Sequence, residues 1–289
     1  MKKALEFPLR ILFMILGTIF IFAIPSLIGA GKTLTFHFQP FWEYMKSVIS
    51  QLTQLNDPAT GYLFKQLNAV ETYSYSMSIL FISIIVVTIT GTLFAIMTQM
   101  ATRMIRNPLK KLIDFFEGVP DLLIIFLFQF FVITLYKETG LKFLQLYGIF
   151  GHKPYFVPIV TISFLPVFML MQFLIKELGQ EETKDYVQYS RAKGLHQFPI
   201  LFVHMLRNIF PLFIIHLRTI IWVLLSNLYL LEFMFNLPGF TKTFMIAMGQ
   251  GDFRVLLVCL LLFTLPLLII EAISYLVLKF YKGKESVSL

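Results

Sequence analysis

Charged residues are scarce in this chain, and their scarcity excludes an ordinary soluble domain. Asp, Glu, Lys and Arg make up 14% of the 289 residues, whereas a soluble domain carries about 25%. Hydrophobic residues make up 57%, and the 33 phenylalanines fall in runs too apolar for one soluble core to bury. We therefore expect a membrane protein whose apolar surface is covered by lipid.

Residues that would mark a catalytic, redox or metal site are also missing. The single cysteine, Cys259, lies in an apolar stretch and excludes an intrachain disulfide. No serine, cysteine or paired-carboxylate arrangement is spaced for catalysis. The histidines lack the paired spacing of metal ligands: His37, His152, His196, His204 and His216. We expect no enzymatic activity, metal site or cofactor site in this chain.

The sequence contains instead a series of apolar stretches, each long enough to cross a bilayer as a helix. About 20 helical residues span a hydrocarbon core of about 30 Å. Six stretches qualify and predict an all-α fold with six transmembrane helices: residues 9–28, 73–99, 112–135, 155–175, 209–231 and 255–278.

Lysine and arginine are distributed unevenly between the segments that join these spans. With the N-terminus inside, the internal segments carry 15 of these residues and the external segments carry 8. Because positive residues favour the cytoplasmic side, both termini are predicted to be cytoplasmic. The net charge of +8 reflects this topology and predicts no nucleic-acid partner.

The topology divides the chain into three parts. Residues 1–72 hold the first span and an external segment, residues 73–280 hold the other five spans, and residues 281–289 form a cytoplasmic tail. Apolar residues recur at three- and four-residue steps between Phe41 and Leu55, which predicts an amphipathic helix in the external segment. This helix either lies on the membrane face or contacts an external solute-binding protein.

A charged loop of residues 177–208, the signature loop, joins the fourth and fifth spans. Glu181, Glu182 and Asp185 predict the start of a short helix, and Gly194 is placed to end it in a left-handed conformation. Two short helices joined by a hinge are therefore expected.

The second half of the signature loop has the pattern of a docking surface. Pro199 is suited to open a new turn after the hinge. An apolar knob of three residues then stands beside two basic side chains: Ile200, Leu201, Phe202, His204 and Arg207. Such a combination favours contact with a cytoplasmic partner protein.

Several residues of the signature loop stand at characteristic spacings: Asp185-Tyr186, Arg191-Ala192-Lys193-Gly194-Leu195, His204 and Leu206-Arg207-Asn208. Their order and spacing resemble the loop signature of dipeptide, oligopeptide and nickel ABC permeases. The similarity continues through Leu-Pro-Gly-Phe at residues 237–240 and Gly-Asp-Phe-Arg-Val at residues 251–255.

The resemblance implies the architecture of an ABC type I importer permease in a bacterial plasma membrane. Peptides are the expected cargo, and the signature loop is expected to dock to a cytoplasmic ATPase. The implied partners are a second homologous permease, two ATPase subunits that bind ATP and magnesium, and an external solute-binding lipoprotein. The cargo stays open among dipeptides, longer peptides, nickel chelates and other solutes.

Ionisable residues inside the spans are further functional candidates, because a charge within the bilayer is costly. Arg218 in span five and Glu271 in span six lie at similar depths, judged by a helical rise of 1.5 Å per residue. They either pair to lock the two spans, line the substrate path, or extend towards the membrane surface.

Span three carries three acidic residues on one predicted helical stripe. Asp114, Glu117 and Asp121 follow at steps of three and four residues, beside Gly118 and Pro120, which can kink a helix. Either the first two lie in cytoplasmic water below the span, or the stripe faces a polar surface. Asp121 is the candidate for the transport pathway.

Two other protein classes fit a polytopic chain: an ion-coupled secondary transporter or channel, and a membrane-embedded enzyme or signalling protein. The sequence shows neither inverted repeats nor a pair of broken helices, which speaks against a secondary transporter. Missing catalytic residues speak against an enzyme.

Overall fold

Helices dominate the computed structural model, which confirms the predicted all-α class. The described residues are 13, 16–17, 19–21, 23–29, 35–53, 65, 68–140, 153–250 and 253–285. Two strands of two residues each, β1 (Ile28–Gly29) and β2 (Thr35–Phe36), pair antiparallel.

After the two strands, the helices follow in this order along the chain. They are α1 (Phe38–Thr53), α2 (Ala69–Met100), α3 (Arg103–Glu117), α4 (Asp121–Thr139), α5 (Phe156–Glu181), α6 (Asp185–Ala192), α7 (Gln197–Pro199), a π-helical segment (Ile200–Met205), α8 (Leu206–Met234), α9 (Phe240–Gln250) and α10 (Phe253–Glu285).

Five helical segments within the described residues are long and apolar enough to cross a membrane: Ala69–Met100, Asp121–Thr139, Phe156–Glu181, Gln197–Met234 and Val255–Lys279. Predicted spans two, four, five and six are thereby confirmed, with ends that differ by several residues. The first predicted span, residues 9–28, is described in part, at residues 13, 16–17, 19–21 and 23–28. All of these residues except Ile28 are helical.

The third predicted span, residues 112–135, is wrong as a single helix. The helical conformation is interrupted at residues 118–120, between α3 and α4. Pro120 has no N–H for helical bonding, and its backbone is extended with a ψ of 135°. The N–H of Gly118 instead closes a tight turn onto the Phe115 carbonyl at 3.2 Å.

The break separates the acidic residues that the sequence placed on one stripe. Asp114 and Glu117 lie on α3, whereas Asp121 is the first residue of α4. The prediction of one continuous stripe is therefore wrong, because it assumed a kink where the helix ends and a new one begins.

The chain divides into two compact units. The first comprises Met1–Val70 with Thr243–Phe263, and the second comprises Glu71–Lys242 with Thr264–Leu289. In the first unit, four buried side chains form a hydrophobic cluster: Ile19, Val48, Leu256 and Leu257. Val48 lies on α1, so the predicted amphipathic helix of the external segment is present and buries its apolar face.

Helix α5 forms the centre of the second unit. It packs against α3, α4 and α8, and most of its side chains between Val157 and Leu178 are buried. At one point α2 lies so close to α5 that a Cβ on Gly91 would stand 3.0 Å from Leu170. The signature loop therefore begins at the end of the most enclosed helix of this unit.

Candidate functional site

The first helix of the signature loop begins later than predicted. Glu181 is the last residue of α5, and α6 begins only at Asp185. The sequence prediction that Glu181 and Glu182 open a loop helix is wrong, because buried Ile175 and Leu178 carry the apolar face of α5 past its predicted end.

Helix α6 ends in the predicted left-handed glycine. Gly194 has a φ of +79°, and its N–H donates to the Arg191 carbonyl at 2.9 Å. The N–H of Leu195 donates to the Ser190 carbonyl at 3.2 Å. These two bonds form a Schellman motif, in which a side chain at the glycine position would strain the backbone.

Glu181 holds the two ends of the signature loop together. Its side chain is buried, and its carboxylate accepts hydrogen bonds from the Tyr186 hydroxyl at 2.7 Å and from Asn208 Nδ2 at 3.1 Å. Lys184 Nζ lies 2.5 Å from the other oxygen. Burial and the hydrogen bond to Glu181 raise the pKa of Tyr186 to about 12. The polar contacts of Glu181 thus connect the two ends of the loop.

Glu182 makes a second set of contacts in a different direction. Its Oε1 pairs with Arg191 Nη2 at 2.5 Å, and its Oε2 accepts a hydrogen bond from Gln99 Nε2 of α2 at 2.9 Å. Adjacent carboxylates therefore serve different elements: Glu181 joins α5, α6 and α8, whereas Glu182 joins α2 to α6.

An unbroken run of exposed residues covers positions 191–199. It includes five residues that carry the sequence signature: Arg191, Ala192, Lys193, Gly194 and Leu195. The Lys193 ammonium lies 4.4 Å from the ring centroid of exposed Tyr189, a cation–π contact that keeps both side chains on the surface. This part of the loop is accessible to a partner protein.

The predicted apolar knob is arranged differently. Ile200 and Leu201 are buried, with 2% and 4% of their surface exposed, because the π-helical segment turns them inward. Phe202 stays exposed and stacks on Phe198 at 4.4 Å between ring centroids. The exposed apolar surface is thus this aromatic pair together with Leu195 and Val203, and the prediction of a three-residue knob is wrong.

The two basic residues of the second half flank the start of α8. His204 is half-buried and Arg207 is exposed. The Arg207 carbonyl accepts a hydrogen bond from the Tyr281 hydroxyl of α10 at 2.7 Å. Arg207 is therefore held by its backbone while its guanidinium group stays on the surface.

Arg218 and Glu271 approach each other between α8 and α10. Arg218 Nη1 lies 3.6 Å from Glu271 Oε1, and the two side chains are 48% and 31% exposed. A charge on the surface of a membrane-spanning helix is costly against lipid. This pair therefore requires a polar or protein environment on its exposed side.

The exposed faces of three spans differ in chemistry. On α2 between residues 81 and 97, and on α4 between residues 122 and 131, every exposed side chain is apolar. The exposed stripe of α8 carries Arg218, Thr219 and Ser226 among its apolar residues. The faces of α2 and α4 suit lipid, whereas the face of α8 suits water or a polar partner.

The acidic residues of the third predicted span contact different helices. Asp121 Oδ1 accepts a hydrogen bond from Asn227 Nδ2 of α8 at 3.1 Å. Asp114 Oδ1 accepts one from Gln172 Nε2 of α5 at 3.2 Å. Each carboxylate therefore meets an amide on a neighbouring span, and Asp121 lies against the same helix that carries Arg218.

Glu232, near the end of α8, forms a buried clamp that the sequence did not single out. Its carboxyl group accepts hydrogen bonds from the Ser76 hydroxyl of α2 and from the Thr241 N–H of α9, the second at 2.9 Å. Ser76 Oγ in turn accepts the Phe240 N–H at 2.8 Å. A Cβ on Gly239 would overlap the Glu232 carboxyl group.

This clamp caps the start of α9 with groups from other helices. The first N–H groups of a helix have no partner within it, and here Ser76 and Glu232 supply the acceptors. The Leu-Pro-Gly-Phe turn at residues 237–240 is thereby fastened to α2 and α8. Gly239 is needed because any side chain there would occupy the space of the Glu232 carboxyl group.

Among the described residues, no group of three or more His, Cys, Asp or Glu side chains is arranged to hold a metal ion. Glu181, Glu182 and Glu232 each bind groups from other helices, and these contacts position the helices.

A family model matches residues 91–282, which is well over half of the chain. That model describes the inner membrane component of binding-protein-dependent transport systems. The chain belongs to this family. The match begins within α2 and includes the whole signature loop, the Glu232 and α9 part of the clamp, and most of α10. The chain is thus a multi-pass membrane protein of this transport family.

Curated relatives with named functions show partial similarity. The chain is 25% identical over 138 residues to the dipeptide transport system permease protein DppB of Lactococcus lactis, covering 48% of this chain and 46% of the relative. DppB of Bacillus subtilis is 28% identical over 101 residues, covering 35% and 33%. CntB of Staphylococcus aureus, a metal-staphylopine import system permease protein, is 23% identical over 125 residues, covering 43% and 40%. The aligned part spans between a third and a half of each relative.

Sequence reasoning missed the groups that position this family member's helices. Glu232 lies one residue beyond the predicted end of span five. It is therefore not counted among the ionisable residues inside the spans. Gln99 and Ser76 are uncharged residues of α2 whose roles depend on contacts more than 80 residues away. Only the fold brings these partners together.

Proposed function

We propose that this chain is the membrane-spanning permease subunit of an ATP-driven importer and forms half of its translocation pathway. Peptides are the proposed cargo, since two of the relatives described above are dipeptide permeases. The proposed partners are a second homologous permease, two cytoplasmic ATPase subunits that bind ATP and magnesium, and an external solute-binding lipoprotein. Both ends of the sequence lie on the cytoplasmic side in this proposal.

The observation that carries the proposal is the exposed surface of the signature loop. Its exposed run at residues 191–199 and the adjacent Phe198–Phe202 pair form a surface patch that carries the basic residues Arg191 and Lys193. The loop is stiffened from within by Glu181, so a force applied to this patch reaches α5 and α8. Such a surface suits a cytoplasmic ATPase that moves when it binds ATP.

The exposed stripe of α8 is the proposed pathway surface. Arg218, Thr219 and Ser226 would face water or solute there, and Glu271 would offset the charge of Arg218 at 3.6 Å. Asp121 is hydrogen-bonded to buried Asn227 of the same helix and is therefore not part of this exposed stripe. A mixed charge suits a zwitterionic solute such as a peptide.

The break between α3 and α4 favours one alternative, an ion-coupled secondary transporter. Interrupted helices with a carboxylate at the break bind ions in such proteins, and Asp121 opens α4 at this point. Secondary transporters use broken helices in pairs. Among the described spans, the predicted third span is the single one with a non-helical break. The importer is therefore the stronger proposal.

Isolation through an affinity tag on this chain, followed by reconstitution in liposomes, tests the proposal. Co-isolation of a second permease and ATPase subunits, with uptake of a labelled dipeptide that requires ATP, is the expected result. Uptake by this chain alone, driven by an ion gradient and unaffected by ATP, would establish the alternative. Replacing Glu271 with glutamine should lower uptake while the complex still assembles.

A further inference from the structure

Helix α2 contacts the signature loop without being continuous with it. Helices α5 and α8 run directly into the loop, so any displacement of the loop pulls on them through the backbone. Helix α2 ends at Met100, far ahead of the start of the loop at residue 177. Its movement with the loop must therefore depend on side-chain contacts.

The polar contact between α2 and the loop is made by Gln99. Its Nε2 donates to Glu182 Oε2 at 2.9 Å, and the remaining Glu182 oxygen pairs with Arg191 at 2.5 Å. Around this contact, Met100 of α2 and Leu201 and Met205 of the loop line one small cavity. Flexible apolar side chains around a cavity permit sliding, so the hydrogen bond fixes the relative position of α2 and the loop.

We propose that Glu182 is a positioning residue that makes the end of α2 move together with the signature loop. This inference rests on the proposed function, since it concerns how movement of an ATPase reaches the spans. Arg191 holds the Glu182 carboxylate in the orientation that Gln99 requires. Arg191 would thus act on α2 through Glu182 as well as contributing to the docking surface.

The energetics fit a positioning role better than a stabilising one. Partly exposed ion pairs contribute little to folding, roughly 0 to 1 kcal/mol, because water competes for both partners. The Arg191 and Glu182 side chains are 43% and 30% exposed. Losing the hydrogen bond between Gln99 and Glu182 should therefore leave the protein folded and assembled while it frees α2 from the loop.

Distance measurements on the assembled complex test the inference directly. Spin labels are placed on exposed Met97 of α2 and exposed His196 of the loop, with Cys259→Ala removing the single native cysteine. In the otherwise unaltered complex, we expect the same distance distribution with and without Mg-ATP. In Gln99→Ala, we expect a shift or broadening of several ångströms once Mg-ATP is added.

Gln188→Ala is the matched control, because Gln188 is a loop glutamine whose Nε2 bonds locally to the Thr183 carbonyl at 3.2 Å. Its distance distribution should match that of the unaltered complex under both conditions. If Gln99→Ala also matches it under both conditions, the inference is wrong.

A charge-swapped pair distinguishes positioning from general damage. Gln99→Glu alone places two carboxylates together and should release α2, with a shift at least as large as in Gln99→Ala. Adding Glu182→Gln reverses donor and acceptor and should restore the original distribution. Failure of this rescue would contradict the inference, since a correct pair would then not suffice to hold α2.

ATP hydrolysis by the same complexes separates this inference from the proposed function. If the unaltered complex contains no ATPase subunits and hydrolyses no ATP, the proposed function fails. If it hydrolyses ATP while Gln99→Ala leaves the distances unchanged, only the role of Glu182 fails. If Gln99→Ala still hydrolyses ATP and its distance distribution changes when Mg-ATP is added, the proposed function and the role of Glu182 are both supported.

Discussion

Two glutamates fasten the two ends of α2, and they do so in opposite surroundings. Glu232 binds Ser76 near the first end and is 3% exposed, with its carboxyl group enclosed by the start of α9. Glu182 binds Gln99 near the second end and remains partly in water beside Arg191. The same type of residue thus forms a buried clamp at Glu232 and an accessible link at Glu182.

The difference predicts different consequences when each contact is lost. A buried polar group that loses its partner costs about 1–3 kcal/mol, because water cannot replace the missing hydrogen bond. The loss of an accessible ion pair costs little, because water then solvates both charged groups. We expect changes at the clamp to affect folding, and changes at the link to affect coupling without affecting folding.

Gly239→Ala should have the largest effect, since the new methyl group would occupy the space of the Glu232 carboxyl group. Overpacking of this kind typically costs about 1–3 kcal/mol, and here it also displaces a capping group. We expect a clear loss of thermal stability in detergent and less protein in the membrane. Gly179→Ala is the control, because no atom lies within 4 Å of its added methyl group and alanine favours the helix. A wild-type melting temperature for Gly239→Ala would contradict the clamp.

Ser76→Ala should have the next largest effect. It removes the donor to Glu232 and the acceptor of the Phe240 N–H at once, for an expected loss of about 1–3 kcal/mol. Ser78→Ala on the same helix is matched, because its hydroxyl donates only to the local Ser74 carbonyl at 2.7 Å. Thermal unfolding of both variants should show a lower melting temperature for Ser76→Ala alone. Equal melting temperatures would mean that the buried clamp does not stabilise the fold.

The end of the short loop helix could be predicted from the sequence, whereas the buried clamp could not. The position of Gly194 at the end of a short helix follows from local rules, and the structure has it in the left-handed conformation. The break at Pro120 was indicated by residue type, but a kinked helix and two separate helices share the same local pattern. The clamp at Glu232 depends on contacts over 156 residues of sequence, which no local pattern contains.

Gly194→Ala, compared with a second left-handed glycine outside the signature loop, tests whether the geometry of the loop matters beyond the backbone strain that alanine introduces. Alanine at a φ of +79° should cost about 1 kcal/mol through backbone strain. Gly140→Ala is matched, since Gly140 has a φ of +65° at the end of α4 and open space around it. Both variants should lose similar thermal stability, but only Gly194→Ala should reduce the amount of ATPase co-isolated with the tagged chain. Equal co-isolation in both would show that the geometry of the loop is not needed for docking.

Tyr186→Phe should have the smallest effect, about 0.5 kcal/mol for one partly exposed hydrogen bond to Glu181. Because the folded protein holds the pKa of Tyr186 at about 12, above the usual value of about 10, this contribution is complete below about pH 10. It is lost as the pH rises through 12, since the unfolded chain then ionises more readily than the folded one. The melting temperature of wild type should therefore exceed that of Tyr186→Phe at pH 8, and the gap should narrow by pH 11. Tyr189→Phe, on the exposed side of the same helix, should differ little from wild type at pH 8. A gap for Tyr186→Phe that widens with pH would mean that ionised Tyr186 is the form that holds the loop closed.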